Sequence, residues 1–151
     1  MKKTSVFISY SSKDNDFAQL LCSKLSKPNL DVWLAPSKIE GGDQWSGQIT
    51  KAIEECDYFI LLASSHSIGN KDSGKNRSPQ VHRELSLFDS NKKNAKLIPL
   101  DLDGVVVKNI ASDDCKYLIA GLHFIDCRNA YQNGGLRWTQ PVGQPDGVPK
   151  L

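Results

Sequence analysis

Tyr58-Phe59-Ile60-Leu61-Leu62-Ala63 is the stretch on which the fold turns. Six apolar residues stand in a row with no polar alternation. The run is far too short to cross a bilayer. It suits a strand buried on both faces, the signature of a parallel sheet covered by helices on each side. The segments around it agree. Upstream, Trp45–Cys56 places Ile49, Ala52, Ile53 and Cys56 on one helical face. Downstream, Ser78-Pro79 reads as an N-cap followed by proline at the first helical position, and that helix runs to about Ser90.

Further out, Thr4–Tyr10 and Leu30–Leu34 are strand-like, and between them Asp14–Ser26 carries Phe17, Leu20, Leu21 and Leu25 on one face. Lys96–Leu100 reads as a fourth strand and Leu122–Asp126 as a fifth. The stretch Asp101–Tyr117 reads as a loop with one helical turn, and Arg128–Trp138 as a short last helix weakened by Gly134-Gly135. Strands alternating with helices imply a doubly wound α/β domain. Right-handed crossovers make the flavodoxin-like order 2-1-3-4-5 the expectation for a five-stranded parallel sheet. The tail Gln140–Leu151 holds three prolines and two glycines and reads as a linker. The expected organisation is one domain over 1–139 and a linker over 140–151 toward a further C-terminal domain.

Length and charge agree with one domain. At 151 residues the chain can bury a core without disulfides or metals. A net charge of +2 offers no basis for steering to nucleic acid or to a membrane surface. Met1-Lys2-Lys3 leads into a short strand-like run rather than a signal peptide, so a cytoplasmic location is expected. Cys22, Cys56, Cys115 and Cys127 form no C-x-x-C and stand at no metal-ligand spacing from His66, His82 or His123. They read as reduced, mostly buried thiols, with no metal site.

In such sheets ligands bind beyond the carboxyl ends of the strands where the strand order reverses, here between the first and third strands. That point gathers Ser9-Tyr10-Ser11-Ser12, the loop Pro36–Trp45, Ser64-Ser65 and the start of the helix after Ser78. Hydroxyls and amides near helix N-termini suit a phosphate or a ribose; the same serines serve equally to end strands and cap helices. The loop 64–77 is longer than most in compact domains, which leans toward function or mobility. Glu84 is the oddity. Val81, Leu85 and Phe88 form the apolar stripe of its helix, and position 84 shares that face. A carboxylate is rarely buried without a partner or a task. On the pattern alone Glu84 reads equally as a functional group or as a solvated glutamate at the stripe's edge beside His82 or Arg83.

Several chemistries are excluded. No G-x-G-x-x-G follows the first strand, and neither a P-loop nor a G-x-S-x-G elbow occurs. A phosphoacceptor receiver would need an aspartate ending the third strand, where Ala63-Ser64 stands, and an acidic pair after the first, where Tyr10-Ser11 stands.

Val6-Phe7-Ile8-Ser9-Tyr10-Ser11, followed by Asp14, resembles the opening box of TIR domains. Val32-Trp33-Leu34-Ala35-Pro36-Ser37-Lys38-Ile39-Glu40-Gly41-Gly42, with Trp45 and Ile49, resembles the second strand and BB loop of bacterial members. Ser78-Pro79-Gln80-Val81-His82-Arg83-Glu84-Leu85 is similar to the segment carrying the catalytic glutamate of NAD-cleaving members. The likeness covers roughly Thr4 to Asp126. It implies an NAD+ glycohydrolase effector in which NAD+ is substrate, no separate cofactor is needed and Glu84 is catalytic. Trp33, Trp45 and Tyr10 are then candidates to stack on nicotinamide or adenine, and Ser9, Ser11, Lys38, Glu40, Asp43, Ser64 and Arg83 are lesser candidates for substrate contact. Two departures stand out. Some NAD-cleaving relatives carry an aromatic residue where this chain has Gln80, and many carry an aspartate where it has Ala35. The resemblance also implies self-association through the BB loop, about Ala35 to Trp45, and a fused sensor module such as a STING-like cyclic-dinucleotide receptor in antiphage defence. A non-catalytic TIR–TIR signalling adaptor and a nucleoside glycosyl-transferring enzyme of related fold are the competing readings.

Overall fold

The structure is a computed structural model that describes residues 2–35, 43–69, 78–91, 95–108, 119 and 122–132, with backbone alone at 43–46 and 107–108. Strand β1 is Thr4–Ser9, helix α1 Asn15–Lys24 and β2 Leu30–Leu34. Helix α2 is Asp43–Glu55, β3 Tyr58–Ala63 and α3 Pro79–Asn91. Strand β4 is Lys96–Asp101, α4 Val105–Lys108, β5 Ile125–Asp126 and α5 Arg128–Gln132. All strand pairs are parallel, in the expected order β2-β1-β3-β4-β5.

The run that decided the fold lies at the centre. Phe59 to Ala63 are all buried. Register sets Ser9 against Leu61 and Ala63 against Asp101, so the carboxyl ends of β1, β3 and β4 form one rim. Strand order reverses at β1, and right-handed crossovers therefore send α1 to one face and α2 and α3 to the other. Aromatic packing marks the second face: Phe7 stacks on Phe59 at 5.3 Å, and Phe59 meets Phe88 of α3 at 4.9 Å. On the first face Phe17 of α1 meets Tyr131 of α5 edge-on at 5.9 Å. Side chains alternate along a strand, so Ser9 shares Phe7's face and points toward α3.

Several boundaries differ from expectation. The first helix begins later, because Ser11 caps a short 3-10 turn over Ser12–Asp14 before α1 starts. Helix α2 begins earlier, at Asp43. The fifth strand shrinks to two residues. Only Leu100–Ile125 and Asp101–Asp126 pair, and Leu122 to Phe124 stay exposed outside the ladder. A very short edge strand presents little unpaired backbone to other chains. The helical turn between 101 and 117 is α4, and α5 is described only to Gln132. The rest of the expected last helix, Cys115 and the tail lie outside the described residues. Cys22, Cys56 and Cys127 are free thiols; burial, with nearby acids, pushes Cys56 up to about 11 and Cys127 up to about 12. Among the described residues, no helix is long and apolar enough to cross a membrane.

Candidate active site

Helix α3 begins as its sequence directs. The Val81 amide donates to the Ser78 hydroxyl at 3.3 Å, satisfying a first-turn donor, while Pro79 has none to satisfy. From that start the helix turns Gln80, Val81, Glu84, Leu85 and Phe88 inward. Glu84 is fully enclosed, at 0% exposure, so it is not a solvated edge residue. The Ser9 hydroxyl donates to Glu84 Oε1 at 2.6 Å, and the Gln80 side-chain amide donates to Oε2 at 3.3 Å. Burial pushes the Glu84 carboxyl up to about 7, against the opposing pull of the Ser9 and Gln80 hydrogen bonds and the Arg83 charge. A carboxyl balanced near neutrality beside a strand-end hydroxyl is a group that can act as a base or stabilise a nearby cation.

A second buried carboxylate lies at the same rim. Asp14 is 2% exposed; it accepts from the Ser64 hydroxyl at 2.5 Å and from the Tyr131 hydroxyl at 2.6 Å. Ser64 in turn accepts the amides of His66 and Ser67, closing the turn after β3. Burial, with the hydrogen bond to Asp14, raises the Tyr131 phenol. Asp101, at the end of β4, is also buried. Its Oδ1 accepts the Gly104 amide at 2.8 Å, its Oδ2 has no hydrogen-bond partner among the described residues, and burial raises its carboxyl.

The candidates from the sequence thus separate. Ser9 meets Glu84, with Arg83 exposed beside it on the helix. Ser64 belongs to the Asp14 network instead. Ser11 is buried and caps the 3-10 turn through the Lys13 amide. Tyr10 sits in the core, its hydroxyl donating to Asn15 at 3.4 Å. Trp33 stays 37% exposed on edge strand β2, in register with Phe7, two positions below Ser9 on the same face. Asp43 and Trp45 start α2, but their side chains lie outside the description, as do Lys38, Glu40 and 36–42 of the BB loop. Among the described residues, no three His, Cys, Asp or Glu side chains are grouped to hold a metal ion.

The family model for the TIR domain matches residues 6–137. The chain belongs to the TIR-domain family. No curated protein sequence matches it. Among solved structures, this TIR domain is similar to the TIR domains of the activated Roq1 resistosome that directly recognizes the pathogen effector XopQ. The TM-score is 0.58 and identity 19%, over 95% of this chain and 99% of that one. At that identity the likeness speaks for the fold, which both share. Three residues of the rim escaped sequence reasoning in these roles. Gln80 stands four positions before Glu84, and helical i, i+4 spacing signals that contact. Asp14 entered only as part of a box, and no local pattern joins Tyr131 to it across more than a hundred residues.

Proposed function

We propose that this TIR domain is an NAD+ glycohydrolase whose catalytic carboxylate is Glu84. The supporting observation is the enclosed Glu84 carboxyl, balanced near pH 7 and held by Ser9 at the strand rim where α/β sheets bind ligands. In the reaction the bond between ribose C1′ and the nicotinamide nitrogen breaks, and its electron pair leaves with nicotinamide, which departs neutral. The ribosyl centre develops oxocarbenium character that a nearby carboxylate stabilises. Water then attacks C1′ and gives up its proton to the carboxylate, leaving ADP-ribose; capture by a group of the same molecule yields a cyclised product instead. Ser9 holds one carboxylate oxygen in place, and Arg83 favours the charged form. NAD+ is the substrate and no further cofactor takes part.

Activity depends on assembly in this reading. Glu84 has no exposed surface, so the site must open before substrate can reach it. Self-association through the BB loop, about 35–45, supplies that opening, and a fused C-terminal sensor module controls it in cytoplasmic antiphage defence. The test compares the isolated domain with an artificially clustered form, each given NAD+ or a deoxynucleoside. Nicotinamide release that rises on clustering supports the proposal, and equal turnover by both forms removes the assembly step. Base release from the deoxynucleoside alone marks a nucleoside glycosyl-transferring enzyme. No turnover of either compound leaves a TIR–TIR signalling adaptor.

A further inference from the structure

The geometry points to Gln80 as a positioning residue that holds Glu84 in a closed state and must give way when substrate arrives. This inference rests on Glu84 acting on NAD+ as proposed above. Both carboxylate oxygens already carry a donor from the chain itself, Ser9 on Oε1 and Gln80 on Oε2. Each oxygen has a second lone pair, but with no exposed surface the carboxylate offers no open approach to it.

The two donors are not equivalent. The Ser9 contact, at 2.6 Å, joins α3 to β1 and fixes the carboxylate against the sheet. The Gln80 contact, at 3.3 Å, runs between neighbouring turns of one helix and joins no second element. It is the longer of the two bonds. A buried primary amide on Oε2 occupies the place that a substrate hydroxyl takes when it donates to the same oxygen. Substrate that donates to Oε2 from that direction displaces the Gln80 amide, and the energy spent on that exchange weakens binding. The same amide stabilises the ionised carboxylate, so removing it opens the oxygen and raises the carboxyl further.

Gln80→Met tests this, because methionine keeps the length and helix preference of glutamine without the donor. Gln80→Ala serves as a second donor-free variant, and folding of both is checked by thermal melting. Clustered wild type and variants are assayed with NAD+ across pH. The expected result on the plateau above each form's acid limb is a KM about three- to ten-fold lower in the variants with kcat little changed. The acid limb of the kcat/KM profile also moves to higher pH. Both variants folded with unchanged KM and an unmoved acid limb reduce Gln80 to packing and overturn the inference. A raised KM overturns it too, since Gln80 then binds substrate rather than competing with it. Both of those outcomes leave the NAD+ reading intact. Absence of nicotinamide release from wild type, or full activity in Glu84→Gln, removes that reading and this inference with it.

Discussion

Glu84 and Asp14 are both carboxylates sealed into the carboxyl rim of one sheet, and they are held in opposite ways. Asp14 takes a short hydroxyl bond from the end of β3 and another from α5, so three elements meet on it. Glu84 takes one short hydroxyl bond from β1 and a longer amide bond from its own helix. Burial then dominates its titration and lifts it to about 7. On the proposed reading, the difference separates a carboxylate that ties elements together from one that does chemistry. A buried carboxylate served by strong donors from several elements stitches the fold. Glu84, tied by Ser9 to β1 and by Gln80 to its own helix, has a proton affinity near neutrality that chemistry can use.

The contrast is broken most severely by removing Asp14. Asp14→Ala leaves the Ser64 and Tyr131 hydroxyls without their acceptor, and a loss of about 3 kcal/mol is expected in urea unfolding. NAD+ cleavage per folded molecule should persist; a folded but inactive Asp14→Ala would make Asp14 part of the chemistry and erase the distinction. Glu84→Gln should act in the opposite direction. With a folded value near 7 against about 4.5 for the free group, Glu84 contributes stability that is full below about pH 4.5 and lost as pH rises through 7. The amide has no such loss, so the variant should gain up to about 3 kcal/mol over wild type above pH 7 and nothing near pH 4.5. Melting curves at the two pH values check the sign. Tyr131→Phe should cost about 1.5 kcal/mol with activity per folded molecule retained. Ser9→Ala should cost about 1 kcal/mol in the same unfolding assay. It should also shift the acid limb of activity to higher pH, because the main donor to the ionised form is gone.

Much of this was legible in the residues. The apolar run 58–63 and the alternation around it specify the sheet order, since parallel strands need crossovers and crossovers have one hand. The inner stripe of α3 marked Glu84 as out of place. What periodicity could not reach was the partner set. Helical spacing says which way Glu84 faces, whereas Ser9 lies 75 residues away and meets it only through the register of β1 and β3. The assignment of Ser64 to Asp14 rather than to Glu84 depends on the turn after β3, and Tyr131 reaches Asp14 only because α5 packs beside α1. The stretch 122–126 reads as a strand because composition cannot show that β4 offers a partner to its last two residues alone.

The central claim is that the reactive carboxylate of this domain is Glu84. Its most direct test is nicotinamide release from NAD+ by clustered wild type and clustered Glu84→Gln, both shown to be folded. A fall of at least about 100-fold in the variant is predicted, and an unchanged rate would contradict the account.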